Sequence, residues 1–580
     1  MNYRWSLAPP QPLLAATLAR QLDLSPLLTQ CLINRGLTDP EAISRFLHPR
    51  LGQLADPFRL PNMTAAVERL FEARARDEPV VIFGDYDVDG VTATALLTDV
   101  LGRLGWRTSA YLPHRLDEGY GLSQEGVENC LKKCPAPLLL AVDCGSTAVH
   151  TIAWLKARGI EVIVLDHHQV TTPPPPAVAL VNPLFAGSSA AQPPPFAELC
   201  SVGLAFKLAH ALVKHGRRTG LPGAVDLDLR PLLDLVALGT VADVVPLTGE
   251  NRILVAAGLA RLRSTCRPGL VALKQVAQCP ENPGVYEVGF QLAPRLNAAG
   301  RLETANEALQ LLLADNEAEA LSLAQSLDSR NRERQKIERA IVEQVLGAVR
   351  ARFQPERDFV IVEGQLLWHI GVVGIVASRL VQEFYRPVII LGGDGELWRG
   401  SGRSIPGFDL AAALRACSDL LERHGGHALA AGLTLRPENL DQFRERLNGL
   451  ARRALRPEDL QPPLPLDAEV RLADLTPSLL SQLARLQPTG QGNPGVQLCA
   501  RQLTHHRPLQ RLGTERQHVR MWVTDGTAMH EAIWWRAGEA DLPVGCFDLA
   551  FVPQLNEFNG RRTVRLKVLD WRQAQSGQGQ

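Results

Sequence analysis

The 580-residue chain reads as α/β: two α/β units joined by a long helix and followed by a small β-barrel. Three observations predict this. Apolar strand-like runs alternate with helical stretches from residue 76 to 300, the pattern of a mostly parallel sheet with helices on both faces, and a second such unit follows at 354–458. A charge-dense stretch of helical spacing, 301–353, lies between them. Beyond the proline-rich RPEDLQPPLPL (456–466), short alternating strands over 465–573 suggest a barrel.

Residues 1–75 read as a helical lead-in, from the apolar spacing of DPEAISRFLHP (39–49) and MTAAVERLFEARAR (63–76). PVVIFG (79–84) is a buried strand, VTATALLTDVLGRLG (91–105) a helix and TSAYLP (108–113) a strand. PLLLAVD (137–143) and EVIVLD (161–166) are strands around the helix TAVHTIAWLKARG (147–159). TTPPPPAVAL (171–180) and AQPPPF (191–196) are proline-rich loops, and LLDLVALGTVADVVPL (232–247) is a helix running into a loop. In the second unit, the strand DFVIVEG (358–364), the helix GVVGIVASRLVQEFY (371–385) and the strand RPVIIL (386–391) precede a glycine-rich turn, RGSGRS (399–404). GVQLCARQL, HVRMWVTD, HEAIWW and the long FDLAF…LDW stretch give the barrel its strands. Residues 574–580 are expected to be a disordered tail.

Lysine plus arginine and aspartate plus glutamate both number 61, so formal net charge is zero. That argues against a uniformly basic nucleic-acid coat while allowing a local basic channel. Ten cysteines without a CxxC pair read as reduced thiols, not as a disulfide framework or zinc site. No stretch approaches the ~20 apolar residues that span a bilayer. A cytoplasmic protein with no membrane contact is expected.

Chemistry concentrates at strand ends. FGDYDVDG (83–90) places Asp85, Asp87 and Asp89 at alternate positions directly after an apolar run. Side chains two apart on extended backbone share a face, about 6.6 Å apart. At least two of the carboxylates can therefore converge at the sheet's carboxyl edge, where open α/β sheets bind ligands. Gly90 then turns the chain into a helix. Like charges so close repel unless protonated or bridged by a cation; a capped, solvated turn is the alternative. Two more strands end in acid: LLLAVDCG in Asp143, EVIVLDHH in Asp166, His167 and His168. Asp243 stands where an apolar helix stops. Five or six carboxylates and two imidazoles without thiolate suit manganese, magnesium or iron better than structural zinc. So many carboxylates suit a two-metal site that clamps an in-line displacement at phosphorus.

GDYDVDGVTATALL, AVDCG, LDHH and GTVADVVPL resemble, in order, the four motifs of the DHH phosphoesterase superfamily. YLPHRLDEGYGLS, LCSVGLAFKL, FQLAPRLNAAGRLETA, LWHIGVVGIVASRL, YRPVII, GSGRSIPGFDL and HGGHALAAGL resemble its single-strand-specific exonuclease branch, over roughly residues 45–575. The resemblance implies a 5′-to-3′ exonuclease on single-stranded DNA, dependent on two Mn2+ or Mg2+ ions, serving recombination and repair. It implies a DHH domain at 76–300, connecting helices, a DHH-associated domain and an oligonucleotide-binding barrel. It assigns Asp85, Asp87, Asp89, Asp143, His167, His168 and Asp243 to catalysis, all but His168 as metal ligands, with Asp143 bridging the ions. Asp166 is expected behind them, orienting a histidine. Some relatives carry histidine where this chain has Phe83, as suits the exonuclease branch. A single-strand-binding protein and a helicase are implied partners, and a monomer is expected.

For substrate, arginine suits a terminal phosphate because its fork donates two parallel hydrogen bonds. SGRS offers Ser401 and Arg403 with exposed backbone amides; NAAGR offers Asn297 and Arg301; PHRLDEGYG offers Arg115 and Tyr120, the tyrosine as a base-stacking candidate; GGHALAAG offers His427. Surface salt bridges and core packing are the competing roles. Residues 501–520 hold five arginines against one glutamate, a candidate phosphate track. Adjacent Trp534 and Trp535 should face opposite sides of a strand, one packing in the core and the other free to stack. The rival enzyme is a DHH-type phosphodiesterase for short oligonucleotides or cyclic dinucleotides, which would need neither barrel nor long helix. A non-catalytic DNA-binding scaffold would show eroded motifs, and none is eroded.

Overall fold

The structure is a computed structural model that describes residues 3–115, 117–119, 121–185, 196–393, 395–538, 540–558 and 560–574. Tyr120, most of AQPPPF and the tail beyond Ala574 lie outside the described residues.

The first unit is a five-stranded parallel sheet in the order Thr108–Tyr111, Val80–Gly84, Leu138–Val142, Glu161–Leu165, Ala179–Val181. Apart from the half-buried edge strand Thr108–Tyr111, its strands are near-continuous apolar runs because helices cover both faces. Ala179–Val181 begins inside the expected proline-rich loop TTPPPPAVAL and corrects its end: the prolines stop before Ala179, and three apolar residues suffice to extend the sheet. Gly84, Val142, Leu165 and Val181 are register partners. The ladder runs one step further, Asp85 N to Val142 O, Asp143 N to Leu165 O and Asp166 N to Val181 O (3.2, 3.0 and 3.2 Å). Three acidic residues therefore leave the sheet side by side.

The helix Glu317–Arg352, capped by Asn316, is one element of 36 residues, about 54 Å long. It packs on the first unit through Ala320, Ala324 and Leu327 and on the second through Ile341, Val345 and Val349. The second unit has five strands, with Ile361–Leu366 parallel to Val388–Gly393 and the rest antiparallel. RGSGRS is not a turn. Trp398–Arg403 is a strand flanked on both sides, so its backbone amides are occupied and only side chains remain for ligands. Its glycines serve packing: a Cβ at Gly402 would sit 2.5 Å from Leu410, and one at Gly400 2.9 Å from Leu391.

The third unit closes into a barrel where Leu498–Leu512 pairs with both His518–Thr524 and Phe547–Phe558. The lead-in does not behave as one piece. Arg4–Leu7 is a strand paired with Pro463–Leu466 of the expected linker. The helices Pro12–Leu22, Pro26–Asn34 and Pro40–Leu47 share the barrel's core, whereas Met63–Ala75 belongs to the first sheet's. All ten cysteines are free thiols. No helix among the described residues is long and apolar enough to cross a membrane.

Candidate metal centre

Seven acidic or imidazole side chains converge at the carboxyl edge of the parallel sheet. Asp85 follows Val80–Gly84 on extended backbone, but Asp87 and Asp89 do not continue that strand. Asp87 caps the helix Val88–Arg103, accepting from Gly90 N at 3.1 Å, and Asp89 lies in its first turn. The alternate-position argument therefore fails for Asp89; the cap brings the chain into helix before Gly90. Gly90 is needed for close approach, since a Cβ there would meet Asp85 O at 2.5 Å.

Asp89 is held from outside its own helix. Ser201 N and Val202 N, opening the 19-residue helix Ser201–Thr219, donate to its two oxygens at 2.7 and 2.8 Å. Ser201 Oγ donates to Asp143 Oδ1 (2.8 Å). Asp143 sits at φ 63° and Val244, just past Asp243, at φ 60°, conformations costly for these residues. Asp166 accepts from Ser146 N, His167 N and His168 N (3.0, 2.8 and 3.1 Å) and lies 2.8 Å from His168 Nδ1. It is buried behind the histidines.

His167 Nε2 lies 3.5 Å from Asp143 Oδ1, 3.5 Å from Asp243 Oδ2 and 3.9 Å from Asp89 Oδ2. Three groups have ligand atoms mutually within 4.8 Å: Asp85, Asp87 and Asp143; Asp89, His167 and Asp243; Asp143, His167 and His168. Asp85 Oδ1, His167 Nε2 and Asp243 Oδ2 are buried without a hydrogen-bond partner. Orphaned acceptors of this kind are expensive unless something cationic sits among them. An all-oxygen-and-imidazole donor set fits Mn2+ or Mg2+.

Burial, reinforced by neighbouring aspartates, pushes Asp85 up to about 8, Asp89 to about 7 and Asp243 to about 9, and moves Asp143 in the same direction. Burial, then His168, lowers His167 to about 4, leaving a neutral imidazole able to ligate. The hydrogen bond to Asp166 raises His168 to about 9. The metal-free fold thus keeps protons on its aspartates and on His168 that the unfolded chain releases, so stability falls as pH rises through these values. His167 acts oppositely, but only between about 4 and its ordinary 6.5. Between pH 6.5 and 9 no other group of the site opposes this sign. Melting with chelator should fall across that window, and the gap to melting with Mn2+ should widen; a constant gap would contradict the site.

Facing this edge is a cationic cluster between the first two units. Arg301, on the helix Ala293–Leu302, is pushed down to about 10 by burial and then by Arg115, Arg334 and Arg403, with Asp87 opposing. Its Nη1 donates to Gly371 O at 3.5 Å. Arg403 donates to Ser401 Oγ (2.9 Å), and Arg115 lies over the Tyr86 ring, 5.3 Å away. A Cβ at Gly374 would stand 3.0 Å from Ser401 Oγ and 3.3 Å from Arg403 Nη2, so the start of the helix Val373–Phe384 packs on both. Asn297 is half-buried one turn before Arg301. His427 is exposed in the turn at 427–430 beside Arg403, whose register partner is Ala430. No hydrogen bond or ion pair joins its side chain to the cluster among the described residues. Phe83 is a core residue stacked on Tyr111 (5.7 Å).

The sequence reading missed Arg334 and the exposed, stacked pair Tyr286 and Phe290 (centroids 5.0 Å apart). The aromatic spacing of four was the available signal for the pair. On the barrel, Trp534 packs against the core while Trp535 is 47% exposed, and Arg507 stacks over Trp522 at 5.0 Å. Arg501 and Arg520 are paired with Glu469 and Glu531.

Comparison with known proteins places family matches on all three units: the DHH family, N-terminal domain, at 79–240; the DHHA1 domain at 357–453; and the RecJ OB domain at 466–570. The chain is 36% identical over 573 residues to the single-stranded-DNA-specific exonuclease RecJ of Bacillus subtilis, covering 98% of this chain and 70% of that protein. Crystal structures of RecJ from Thermus thermophilus in complex with Mn2+ and with Mg2+ align at TM-scores of 0.84 and 0.78, with 31% and 30% identity. Each alignment covers 99% of this chain, with 80% and 79% of those chains.

Proposed function

The chain belongs to the RecJ family, and from that premise we propose that it is a single-stranded-DNA-specific exonuclease, hydrolysing phosphodiester bonds from the 5′ end with two Mn2+ or Mg2+ ions, in DNA recombination and repair. The observation that carries the reading is the sharing of Asp143 by two of the three ligand groups, opposite the arginine cluster. Asp85, Asp87 and Asp143 would hold one ion; Asp89, His167, Asp243 and again Asp143 the other. Bound there, divalent cations supply activation of water and charge neutralisation at phosphorus. His168, protonated and steadied by Asp166, donates to a phosphate oxygen. Arg301 and Arg403, with Arg115, hold the phosphate of the 5′ end, and Ser401 and Asn297 offer further donors. His427 meets a neighbouring phosphate.

Unpaired bases leave the cleft past Tyr286 and Phe290 and reach the barrel, where Trp535 and the Arg507–Trp522 pair offer stacking and phosphate contact. We assign the DHH domain to 76–300, the DHH-associated domain to 354–458 and the barrel to 465–573. The protein acts as a cytoplasmic monomer alongside a single-strand-binding protein and a helicase. The barrel and the long helix favour a long strand over a dinucleotide.

The test uses long single strands labelled at either end, with duplex and dinucleotide controls, in Mn2+, Mg2+ or chelator. Loss of the 5′ label first, from single strands only and only with metal, is expected; release from the 3′ end or equal use of the dinucleotide would refute the reading. In the same assay Arg403→Ala should lose most of its preference for a 5′-phosphate over a 5′-hydroxyl, about tenfold for one charge-assisted contact. An unchanged preference removes Arg403 from that role.

A further inference from the structure

We infer that the loop Thr489–Pro494, which leads into the barrel, positions the metal-facing Asp243, with Asn493 and Gly492 as its positioning residues; this rests on the metal reading above. Asp243 ends the helix Leu233–Ala242, its N donating to Gly239 O at 2.9 Å. Val244 follows in the left-handed region at φ 60° and is 67% exposed, so its own side chain contributes little to holding it there. A β-branched residue keeps such a conformation only where its surroundings impose it.

The constraint comes from beyond Val244. Leu247 is buried, and its N donates to Gln491 O at 2.7 Å. Pro246 O accepts from Asn251 Nδ2 at 3.0 Å. The loop fits this segment closely: a Cβ at Gly490 would stand 2.8 Å from Leu247, and one at Gly492 3.0 Å from Pro246. Gly492 has φ 70°, which the reverse turn requires.

Asn493 makes the loop rigid. It is fully buried, and all the hydrogen-bonding capacity of its amide NH2 is spent: Nδ2 donates to Leu486 O and Pro488 O, both at 2.8 Å. Oδ1 accepts from Arg35 Nε at 2.9 Å. Its backbone pairs with Gly490 in both directions (2.8 and 3.2 Å). Loosening this loop frees Leu247, lets Val244 return to negative φ, and carries the Asp243 carboxylate away from His167 Nε2. The loop therefore links the barrel's attachment to the ligand geometry of the first unit.

The experiment titrates the full-length protein with MnCl2 without DNA, by calorimetry or the electron-spin signal of free Mn2+, for wild type, Asn493→Ala and Gly492→Ala. Melting temperature and binding to single-stranded DNA in chelator are recorded alongside. Both variants should bind Mn2+ about tenfold more weakly at one site, the range for residues that orient a ligand. Excess Mn2+ should restore cleavage, and DNA affinity in chelator should be unchanged. Wild-type Mn2+ affinity in both variants overturns the inference. If Asn493→Ala fails to fold, Gly492→Ala decides alone. A wild-type protein that binds no Mn2+ refutes the metal centre itself, and the inference falls with it.

Discussion

Asp143→Asn should reduce hydrolysis of single-stranded DNA by on the order of 1,000-fold, the loss typical of removing a preorganised group that stabilises transition-state charge. Binding of the same DNA in chelator should change little. Asparagine is the informative replacement. It tolerates the left-handed backbone that Asp143 adopts at φ 63°, and its Oδ1 can still accept from Ser201 Oγ. Alanine would lose that bond and add strain, confusing a fold defect with a chemical one. Asp143→Asn keeps the shape but removes the charge and turns one acceptor oxygen into an NH2 donor, and that carboxylate is the one shared by two ligand groups. The same substitution removes a carboxylate whose pKa burial, and then its aspartate neighbours, push upward. In chelator the variant should therefore melt no lower than wild type above pH 7, while gaining less from Mn2+. Retained cleavage, or lost DNA binding with normal melting, would contradict the assignment.

Strand tips were the most legible part of the site. A run of apolar residues ending in aspartate needs no tertiary information to be placed at a sheet edge, and Asp85, Asp143 and Asp166 do leave adjacent strands in register. Asp89 was harder. The pattern of alternate positions suggested one extended face, but the Asp87 side chain finds Gly90 N and starts a helix there. Glycines misled at RGSGRS because a turn and a close-packed central strand both call for a missing Cβ, and only the facing leucines tell them apart. In the lead-in, periodicity identified helices but carried no information on which core their apolar stripes would join. For Trp534 and Trp535 alternation was only half the reason: the strand Met529–Trp534 ends at the first, which packs on the core, and the second is exposed because it opens the turn beyond.

Arg252 gave no local signal at all, and its removal should have the largest effect on how the units dock. It lies on the helix Gly249–Arg263 of the first unit, 2% exposed, and has no carboxylate partner among the described residues. Its guanidinium instead donates to five backbone carbonyls: Phe46 O at 2.8 Å, Leu486 O at 2.8 Å, Pro488 O at 3.2 Å, Arg485 O at 3.0 Å and Gln487 O at 2.8 Å. The Phe46 ring lies 3.8 Å beneath it. Burial of the charge is costly and lowers its pKa to about 10. Five bonds to a charged donor, at about 1.5–3 kcal/mol each, outweigh a desolvation cost of several kcal/mol. Methionine matches the bulk and removes every donor. Asn493 would still serve Leu486 O and Pro488 O, leaving Phe46 O, Arg485 O and Gln487 O without partners. Arg252→Met should then cost about 3 kcal/mol, roughly one for each orphaned carbonyl. Because the chain has several cores, the loss should surface as a separate early transition of the barrel and the three helices that share its core, not as a uniform shift. Proteolysis near residues 485–490 should accelerate with it, and Arg252→Lys, with fewer donors, should fall between. A single unshifted melting transition for Arg252→Met would mean that the interface is held elsewhere.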